Sequence, residues 1–283
     1  MATKMKNEIE FSIDKMEIFE NAITTALKCT DKEPAGCLIQ FSNKGIQITS
    51  IHPEELSAFT GFIPKEILLS YKRKLDESKE TRDRMHEIWF TKDNLLHLHK
   101  MIGIKGDNLY KINITDSRIN MNCTTLKKSM VIMHEDPIII ASIKRIQGII
   151  DKMIETTDLK FITPMENFAF GIAAIEKLLR KDGNYSHKGG SVYIKKNSII
   201  ISIILETDEI EVLLEGKETQ IKEKTEIKEQ INMVELSAAT KNMKKICKTI
   251  NIHAESNKPI ILIGKTDTGV EIKYLLAPLV NNE

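Results

Sequence analysis

The sequence predicts an α+β fold of two similar domains, each with two helices packed on antiparallel sheets. Three observations predict this fold class. Most of the 283 residues fall into short runs typical of strands, four segments have helical periodicity, and both kinds of segment recur in the same order in each half. That order is strand, helix, three strands, then strand, helix, three strands. The halves share little residue identity, so the duplication is one of architecture.

The predicted strands are separated by turn residues, as antiparallel hairpins require. Asn43-Lys44-Gly45 and Lys196-Asn197 are two such turns. In the first half the strand-like runs are residues 38–42, 45–51, 56–63, 86–91, 110–115, 119–123 and 129–134. In the second half they are residues 160–164, 190–195, 198–205, 209–215, 229–235, 250–254, 259–264 and 269–276.

Four segments repeat apolar residues at the period of an amphipathic helix. The first covers residues 15–29, with Asp14 as the predicted N-cap, and the second covers residues 92–102. The third covers residues 165–181 and follows Pro164. The fourth covers residues 236–250, with Ser237 as its predicted cap and an apolar stripe of Leu236, Ala239, Met243, Ile246 and Ile250.

The predicted domains are residues 1–135 and 158–283, joined by a connector of residues 136–157. Two polar stretches of mixed charge, residues 71–84 and 217–229, are predicted to be solvated loops. Part of the connector has helical spacing, which favours a short helix packed on the sheet over a new docking element. The residues with this spacing are Ile139, Ile143, Ile146, Ile150 and Met153.

Four lysines lie on one side of the fourth predicted helix, opposite its apolar stripe. Their spacing is i, i+3, i+4 and i+7, and no acid follows at a spacing that would neutralise them. Taken alone, this pattern favours a solvated face. The functional alternative is a surface that contacts phosphate groups without reading base sequence. The four residues are Lys241, Lys244, Lys245 and Lys248.

Cations on the other helices shift the balance towards phosphate contact. Lys177, Arg180 and Lys181 share a face of the third helix, and Lys92, His97, His99 and Lys100 form a weaker group on the second. The first helix carries Lys15 and Lys28 only near its ends, with Glu17 and Glu20 between them. We therefore expect a polyanion track that is stronger over the second domain.

Composition excludes several classes of protein. The net charge of +1 specifies no partner, and no apolar run approaches the roughly 20 residues that cross a bilayer, so no membrane partner is expected. The first residues lack the apolar stretch of a signal peptide. Four scattered cysteines without metal-ligand pairing favour reduced thiols in an intracellular protein.

Motifs for catalysis and cofactor binding are weak. Gly264-Lys265-Thr266 resembles the end of a phosphate-binding loop, but Pro259 stands where that motif needs glycine, and a hairpin is predicted where it needs a helix. His97 and His99 would diverge on a helix, and no third metal ligand is evident. The aromatic residues lack the interleaving with basic residues of a single-strand platform. We therefore predict no enzymatic activity, no metal and no cofactor.

Three stretches of sequence resemble the DNA sliding clamps of the proliferating cell nuclear antigen family. Residues 272–278, Ile-Lys-Tyr-Leu-Leu-Ala-Pro, are similar to that family's closing strand and tail, and residues 258–261, Lys-Pro-Ile-Ile, lie at the matching distance upstream. Residues 45–51, Gly-Ile-Gln-Ile-Thr-Ser-Ile, resemble a strand of the first clamp domain. The resemblance implies a DNA-clamp fold assembled as a homotrimeric ring, with helices lining the central hole and sheets outside.

The resemblance also implies roles for individual residues. Lys28, Lys100, Lys241 and Lys248 occupy positions of basic channel residues, whereas Phe170 stands where the family often has arginine. Together with the helix patterns, this predicts DNA contacts at Lys28, Lys100, Lys177, Arg180, Lys181, Lys241, Lys244, Lys245 and Lys248. A pocket for partner peptides is expected at Ile51, Pro259, Ala277, Pro278 and part of the connector. Ring closure is expected to pair residues 129–134 with residues 209–215, through Met130, Ile132, Ile210, Val212 and Leu214.

The predicted function is that of a polymerase processivity clamp, which encircles duplex DNA independently of sequence. Its expected partners are DNA polymerase and other clamp-binding peptides, a separate clamp loader, and further copies of itself. The alternatives are a subunit of a heterotrimeric checkpoint-type clamp, a monomeric DNA-binding processivity factor, and a scaffold that does not contact DNA. The expected location is the nucleus or another site of DNA replication. Frequent isoleucine and lysine hint at an AT-rich genome, for example a viral one.

Overall fold

Antiparallel strands dominate the computed structural model. It describes residues 8–13, 16–27, 36–74, 86–102, 110–115, 118–122, 127–131, 137–157, 159–181, 189–195, 198–205, 208–221, 227–267 and 269–279. Over these ranges the first half forms β1 Glu8–Ile13, β2 Gly36–Phe41, β3 Gly45–Ile51, β4 Ser57–Pro64, β5 Ser70–Lys74, β6 His86–Phe90, β7 Tyr110–Thr115, β8 Arg118–Asn122 and β9 Lys127–Val131. The second half forms β10 Leu159–Pro164, β11 Gly189–Lys195, β12 Ser198–Leu205, β13 Asp208–Glu215, β14 Lys217–Ile221, β15 Ile227–Asn232, β16 Thr249–Ala254, β17 Ile260–Lys265 and β18 Glu271–Leu276.

Five α-helices lie between these strands in the described part of the chain. They are α1 Met16–Leu27, α2 Lys92–Ile102, α3 Pro137–Thr156, α4 Met165–Lys181 and α5 Met233–Lys244, and a short 3-10 helix covers Lys65–Ile67. The second and third predicted helices are confirmed at both ends. The first is confirmed over Met16–Leu27, and the remaining predicted positions at its two ends, with the predicted cap Asp14, lie outside the described residues. None of the described helices is both long enough and apolar enough to cross a membrane.

The strands form three antiparallel sheets. The largest has the order β14-β10-β16-β17-β18-β4-β3-β2-β6, and the smaller ones are β5-β1-β7-β8-β9 and β13-β12-β11-β15. Strands from the two halves meet in the nine-stranded sheet, where β18 pairs with β4 from Glu271 opposite Phe62 to Leu276 opposite Ser57. The two halves are therefore joined by a continuous hydrogen-bonded ladder. The domain boundaries at residues 135 and 158 remain a prediction.

The nine-stranded sheet has an apolar core on each of its faces. Side chains alternate across a strand, so Ile260 and Leu262 of β17 join the main core with helices α1, α2, α4 and α5. Ile261 and Ile263 point the other way, into a second apolar cluster covered by α3. The four helices that carry the predicted DNA contacts therefore lie on one face, and α3 lies on the opposite face.

The predicted bounds of the fourth helix are wrong. Helix α5 begins at Met233, because the Asn232 side chain accepts hydrogen bonds from the backbone N–H groups of Val234 and Glu235 and so acts as the N-cap. The strand predicted over residues 229–235 consequently stops at Asn232. The helix ends at Lys244, and the residues that follow lead into β16. Ser237, the predicted cap, is a buried residue within α5.

Two stretches predicted to be loops contain strands. The segment 71–84 includes most of β5, which pairs with β1, and the segment 217–229 includes β14, which pairs with β10. Both strands lie at sheet edges and carry charged or polar side chains. Because neither has the apolar alternation of a half-buried strand, hydrophobic periodicity does not reveal them.

A buried polar cluster joins the two halves beside α5. The hydroxyl of Ser57, on β4, donates a 2.5 Å hydrogen bond to Oε2 of Glu235, in the first turn of α5. His52 Nε2 lies 3.6 Å from Oε1 of the same carboxylate, and its Nδ1 accepts the backbone N–H of Glu54 at 3.0 Å. These contacts satisfy a carboxylate that would otherwise be costly to bury, and they tie α5 to the first half of the chain.

Candidate nucleic-acid interface

The lysines at the end of α5 occupy three different local structures. Lys241 and Lys244 lie on the helix, and Lys245 is its C-cap. Lys248 lies beyond the helix, directly before β16, so the predicted single helical face of four lysines is wrong. All four side chains are nevertheless exposed, and they cluster where α5 turns into the strand. Cations at the C-terminal end of a helix also interact favourably with its dipole.

An acid from the neighbouring helix partly neutralises this group. Glu176 of α4 lies 2.5 Å from Lys241 Nζ and 2.7 Å from Arg180 Nη2. It also accepts a 2.6 Å hydrogen bond from the buried hydroxyl of Ser237. Burial opposes ionisation of Glu176, but the bonds from Lys241, Ser237 and Arg180 prevail and lower its pKa to about 2. Spacing along the helix offered these lysines no acid, but an acid of another helix partly neutralises Lys241.

Helix α4 presents a mixed outer face. Lys177 is exposed, and the exposed fraction of Phe170, two helical turns earlier, is 78%. The two residues share a face because seven residues make almost two full turns. The backbone of Lys181 ends the helix, but its side chain lies outside the described part of the structure. The surface therefore combines a cation with an unusually exposed aromatic ring.

The first half contributes fewer cations to this side of the molecule. Lys100 and His97 are exposed on α2, and His99 is half-buried. Lys28 lies outside the described residues. Helix α1 has the exposed acid Glu17 in its first turn. Among the four helices on this face, the charge is therefore uneven, with most Lys and Arg residues on α4 and α5.

A groove of about 380 Å³ separates α1 from the end of α5. Lys244, Lys245 and Lys248 lie along it, and Glu17 and Asp267 also contribute. Lys248 Nζ lies 2.6 Å from Asp267 Oδ2, with both side chains largely exposed. Such an exposed pair is worth about 0–1 kcal/mol, so it leaves Lys248 able to exchange partners. The acids of this groove come from α1 and the β17–β18 turn, which spacing within α5 could not reveal.

The predicted peptide-pocket residues lie at the same end of neighbouring strands, because Ile51 ends β3, Pro259 precedes β17, and Ala277 and Pro278 follow β18. Ile51 is buried, with 3% of its surface exposed, and it packs in the cluster that α3 covers. Pro259, Ala277 and Pro278 are half-buried. The tail that contains Ala277 and Pro278 is held by main-chain hydrogen bonds, since Ala277 N–H donates to the carbonyl of Leu56 at 2.9 Å.

The connector forms a 20-residue helix, longer than the short helix predicted from its spacing. Polar contacts hold α3 to the sheet. Gln147 donates to Gln40 and Thr49 at 2.7 Å each, and Lys144 Nζ lies 2.6 Å from Glu87. Arg145 forms an ion pair with Glu55, and this hydrogen bond is the main cause of the lowered pKa of Glu55. The predicted pocket is thus bordered by a helix, and Ile51 is covered by it.

The predicted ring-closing segments are edge strands with opposite charge. In the described structure β9 pairs only with β8, and β13 pairs only with β12. Lys127 begins β9, whereas β13 carries the exposed acids Glu209, Glu211 and Glu215. Ile132 lies outside the described residues, and the side chain of Met130 is likewise not described. Ile210, Val212 and Leu214 face the main core within the subunit.

The Gly264-Lys265-Thr266 motif lies at the hairpin predicted for it. Gly264 and Lys265 end strand β17, and Thr266 lies in the turn to β18, so no helix follows. Among the described residues no group of three histidine, cysteine, aspartate or glutamate side chains is placed to hold a metal. Cys37 and Cys247 are buried.

Comparison with solved structures identifies the architecture. PCNA from A. fulgidus, solved with the C-terminal region of FEN-1 bound, superimposes with a TM-score of 0.66 at 15% identity, over 97% of this chain and 100% of that chain. PCNA from Entamoeba histolytica superimposes with a TM-score of 0.65 at 11% identity, over 96% and 99% of the two chains. The chain has a PCNA-like clamp fold.

The predicted clamp fold is therefore confirmed over nearly the whole chain. The sequence itself matches no family model and no curated protein. At this level of identity the PCNA comparison establishes the fold, and function has to be argued from the residues described above.

Proposed function

We propose that this protein is a DNA sliding clamp, which encircles duplex DNA as a ring and tethers replication proteins to it. The observation that carries the proposal is the placement of three helices with exposed cations, α2, α4 and α5, on one face of a PCNA-like fold. Phosphate contacts from lysine and arginine bind DNA without reading its sequence. Weak contacts suit a protein that must slide, because tight ones would hold it in place.

The ring is proposed to close head to tail, with β9 of one copy beside β13 of the next. Lys127 on β9 and the acids Glu209 and Glu211 on β13 are complementary in charge. Pairing β9 with β9, or β13 with β13, would place like charges together, which is unfavourable. Unpaired edge strands are an aggregation hazard unless they are covered, and a closed ring covers both. Such a heterologous interface forms a ring when its rotation closes.

Partner proteins are proposed to dock beside α3 on the opposite face, at Pro259, Ala277 and Pro278. The PCNA of A. fulgidus was solved with the C-terminal region of FEN-1 bound, and we infer that the present chain also binds partner peptides. Ile51 is buried under α3, so it would support the pocket from below. A clamp loader and a polymerase are the expected classes of partner.

Light scattering at several micromolar concentrations tests the ring proposal. We expect a mass about three times the 32.2 kDa of one chain. A mass of one chain at every concentration would favour a monomeric processivity factor that binds DNA on an open basic face. A monomer that gains threefold mass only with other proteins would favour a heterotrimeric clamp. A protein with no measurable affinity for duplex DNA at low salt would favour a scaffold.

A further inference from the structure

Glu176 lies behind two cations that reach the surface between α4 and α5. Its Oε1 accepts hydrogen bonds from Lys241 Nζ at 2.5 Å and from Arg180 Nη2 at 2.7 Å. Only 7% of Glu176 is exposed, whereas the side chains of Lys241 and Arg180 are 56% and 60% exposed. The carboxylate is therefore shielded from solvent while both of its cationic partners remain accessible.

The other oxygen of Glu176 is bound by a buried side chain of α5. Oε2 accepts a 2.6 Å hydrogen bond from Ser237 Oγ, and Ser237 is 1% exposed on α5. With both oxygens bound, the carboxylate stays ionised at neutral pH, in agreement with its lowered pKa. Two cations and one anion then carry a net charge of +1 at this point of the surface.

The neighbouring cations have no such partner. Lys177, Lys244 and Lys245 are exposed, and none of them has a carboxylate partner among the described residues. Each can neutralise one phosphate, whereas Lys241 and Arg180 share their charge with Glu176, and Lys248 shares its charge with Asp267. The basic surface therefore contains cations with and without a carboxylate partner among the described residues.

We propose that Glu176 is a positioning residue that holds Lys241 and Arg180 side by side and cancels one of their two charges, which weakens the hold on duplex DNA. This inference rests on the proposed function. A bound phosphate would have to compete with Glu176 for the same donors, so contact at this point stays weak. The purely structural alternative is that Glu176 only links α4 to α5, which would stabilise the fold and leave DNA binding unchanged.

The salt dependence of DNA binding separates these two roles. Each phosphate neutralised by a protein cation steepens the plot of log K against log salt concentration by about 0.9. In Glu176→Gln we expect this slope to steepen by about 0.9, and the affinity at about 50 mM salt to rise about threefold to tenfold. The measurement is fluorescence anisotropy of a labelled blunt duplex of random sequence, with Glu176→Gln compared with the unmodified protein.

Glu155→Gln is the matched control. Glu155 is exposed on α3, on the opposite face of the nine-stranded sheet. This variant therefore changes the net charge by the same amount, but away from helices α4 and α5. Its slope should equal that of the unmodified protein. An unchanged or shallower slope in Glu176→Gln would overturn the proposal, and so would an equal effect of Glu155→Gln.

Two further variants keep the test decisive. If Glu176→Gln alone is poorly folded by circular dichroism, the comparison is made in the Gly148→Ala background. This substitution is expected to stabilise the fold, and it lies on α3, on the opposite face of the sheet from α4 and α5.

The double variant Lys244→Gln/Lys245→Gln tests the DNA surface independently. If it leaves the slope unchanged, the proposed function fails. If it makes the slope shallower by about 1.8 while Glu176→Gln has no effect, only the role of Glu176 fails.

Discussion

His253 is a buried histidine on β16, and it should make stability depend on pH. Burial, together with Lys160 and Lys273 nearby, lowers its pKa to about 4 from an ordinary value of 6.5. Between these values the unfolded chain binds more protons than the folded one, so stability falls as pH drops from about 6.5 towards 4. Above pH 6.5 the effect is absent, because His253 is neutral in both states.

The measurement is urea denaturation between pH 7 and pH 4.5, comparing the protein with His253→Gln. We expect the loss of stability over this range to be smaller in the variant. Glu176, with its pKa of about 2, loses its contribution mostly at lower pH. Glu229 has a raised pKa because of burial, which opposes the trend, but it is present in both proteins. Identical pH profiles would show that His253 is not the cause.

Phe170 is an exposed aromatic residue at which a substitution should change DNA binding. It is 78% exposed on the face of α4 that carries Lys177, so an arginine placed there would add a cation to the proposed DNA surface. We expect Phe170→Arg to steepen the salt dependence of duplex binding by about 0.9. Phe170→Gln controls for loss of the ring. Equal slopes in the two variants would place this face of α4 away from DNA.

At the scale of single elements, the connector helix α3 contains a glycine that lowers its stability and can be replaced. Gly148 lies in the middle of this helix, and a Cβ added there would meet no atom within 4 Å. Glycine costs roughly 0.5–1 kcal/mol relative to alanine inside a helix, so Gly148→Ala should stabilise the protein by about that amount. The midpoint of urea denaturation measures it.

Gly171 of α4 gives the matched control. A Cβ there would lie 2.7 Å from Leu214 and 2.8 Å from Val212, so Gly171→Ala should destabilise the protein by crowding β13 against the helix. A gain in stability from Gly171→Ala, or a loss from Gly148→Ala, would contradict the packing described for α4 and α3.

The edge strands allow a charge-swap test. Lys127→Glu would place an acid opposite the acids of β13 and should weaken subunit association by about fivefold at low salt. Adding Glu211→Lys in the same chain should restore it. Sedimentation at several concentrations gives the association constant. If the double variant associates no better than Lys127→Glu alone, β9 and β13 do not meet.

Local patterns predict an element well when its own side chains carry the signal. Helices α2 and α4 were located to the residue because their apolar stripes are uninterrupted. The start of α5 was missed because Met233 and Val234 continue the apolar pattern of β15, and only the capping contact of Asn232 ends the strand. Edge strands β5 and β14 were missed because their polar side chains show no alternation.

The candidate site was predictable only in part, for the same physical reason. The spacing of residues on an amphipathic helix reveals exposed lysines, as it does for Lys241, Lys244 and Lys245. Spacing does not reveal their partners, since Glu176 lies 65 residues before Lys241 and belongs to another helix. The covering of Ile51 by α3 likewise depends on how the connector packs across the sheet, which periodicity alone does not specify.

At the scale of the whole molecule, a sliding clamp has to form a ring through which DNA passes. The PCNA-like fold, the cations on one face and the complementary edge strands all bear on that requirement, but each concerns a single chain. A ring linked to DNA by topology is held even at high salt, whereas contacts that depend on phosphates are lost. This difference provides a test that needs no loader, because a ring can thread onto a free DNA end.

The most direct measurement is retention on linear duplex DNA whose biotinylated ends are blocked with streptavidin after the protein has been added. We expect the protein to stay on the blocked DNA through a high-salt wash and to be lost from DNA with open ends. Loss from both kinds of DNA, or equal retention on both, would contradict the claim that this chain forms a sliding ring.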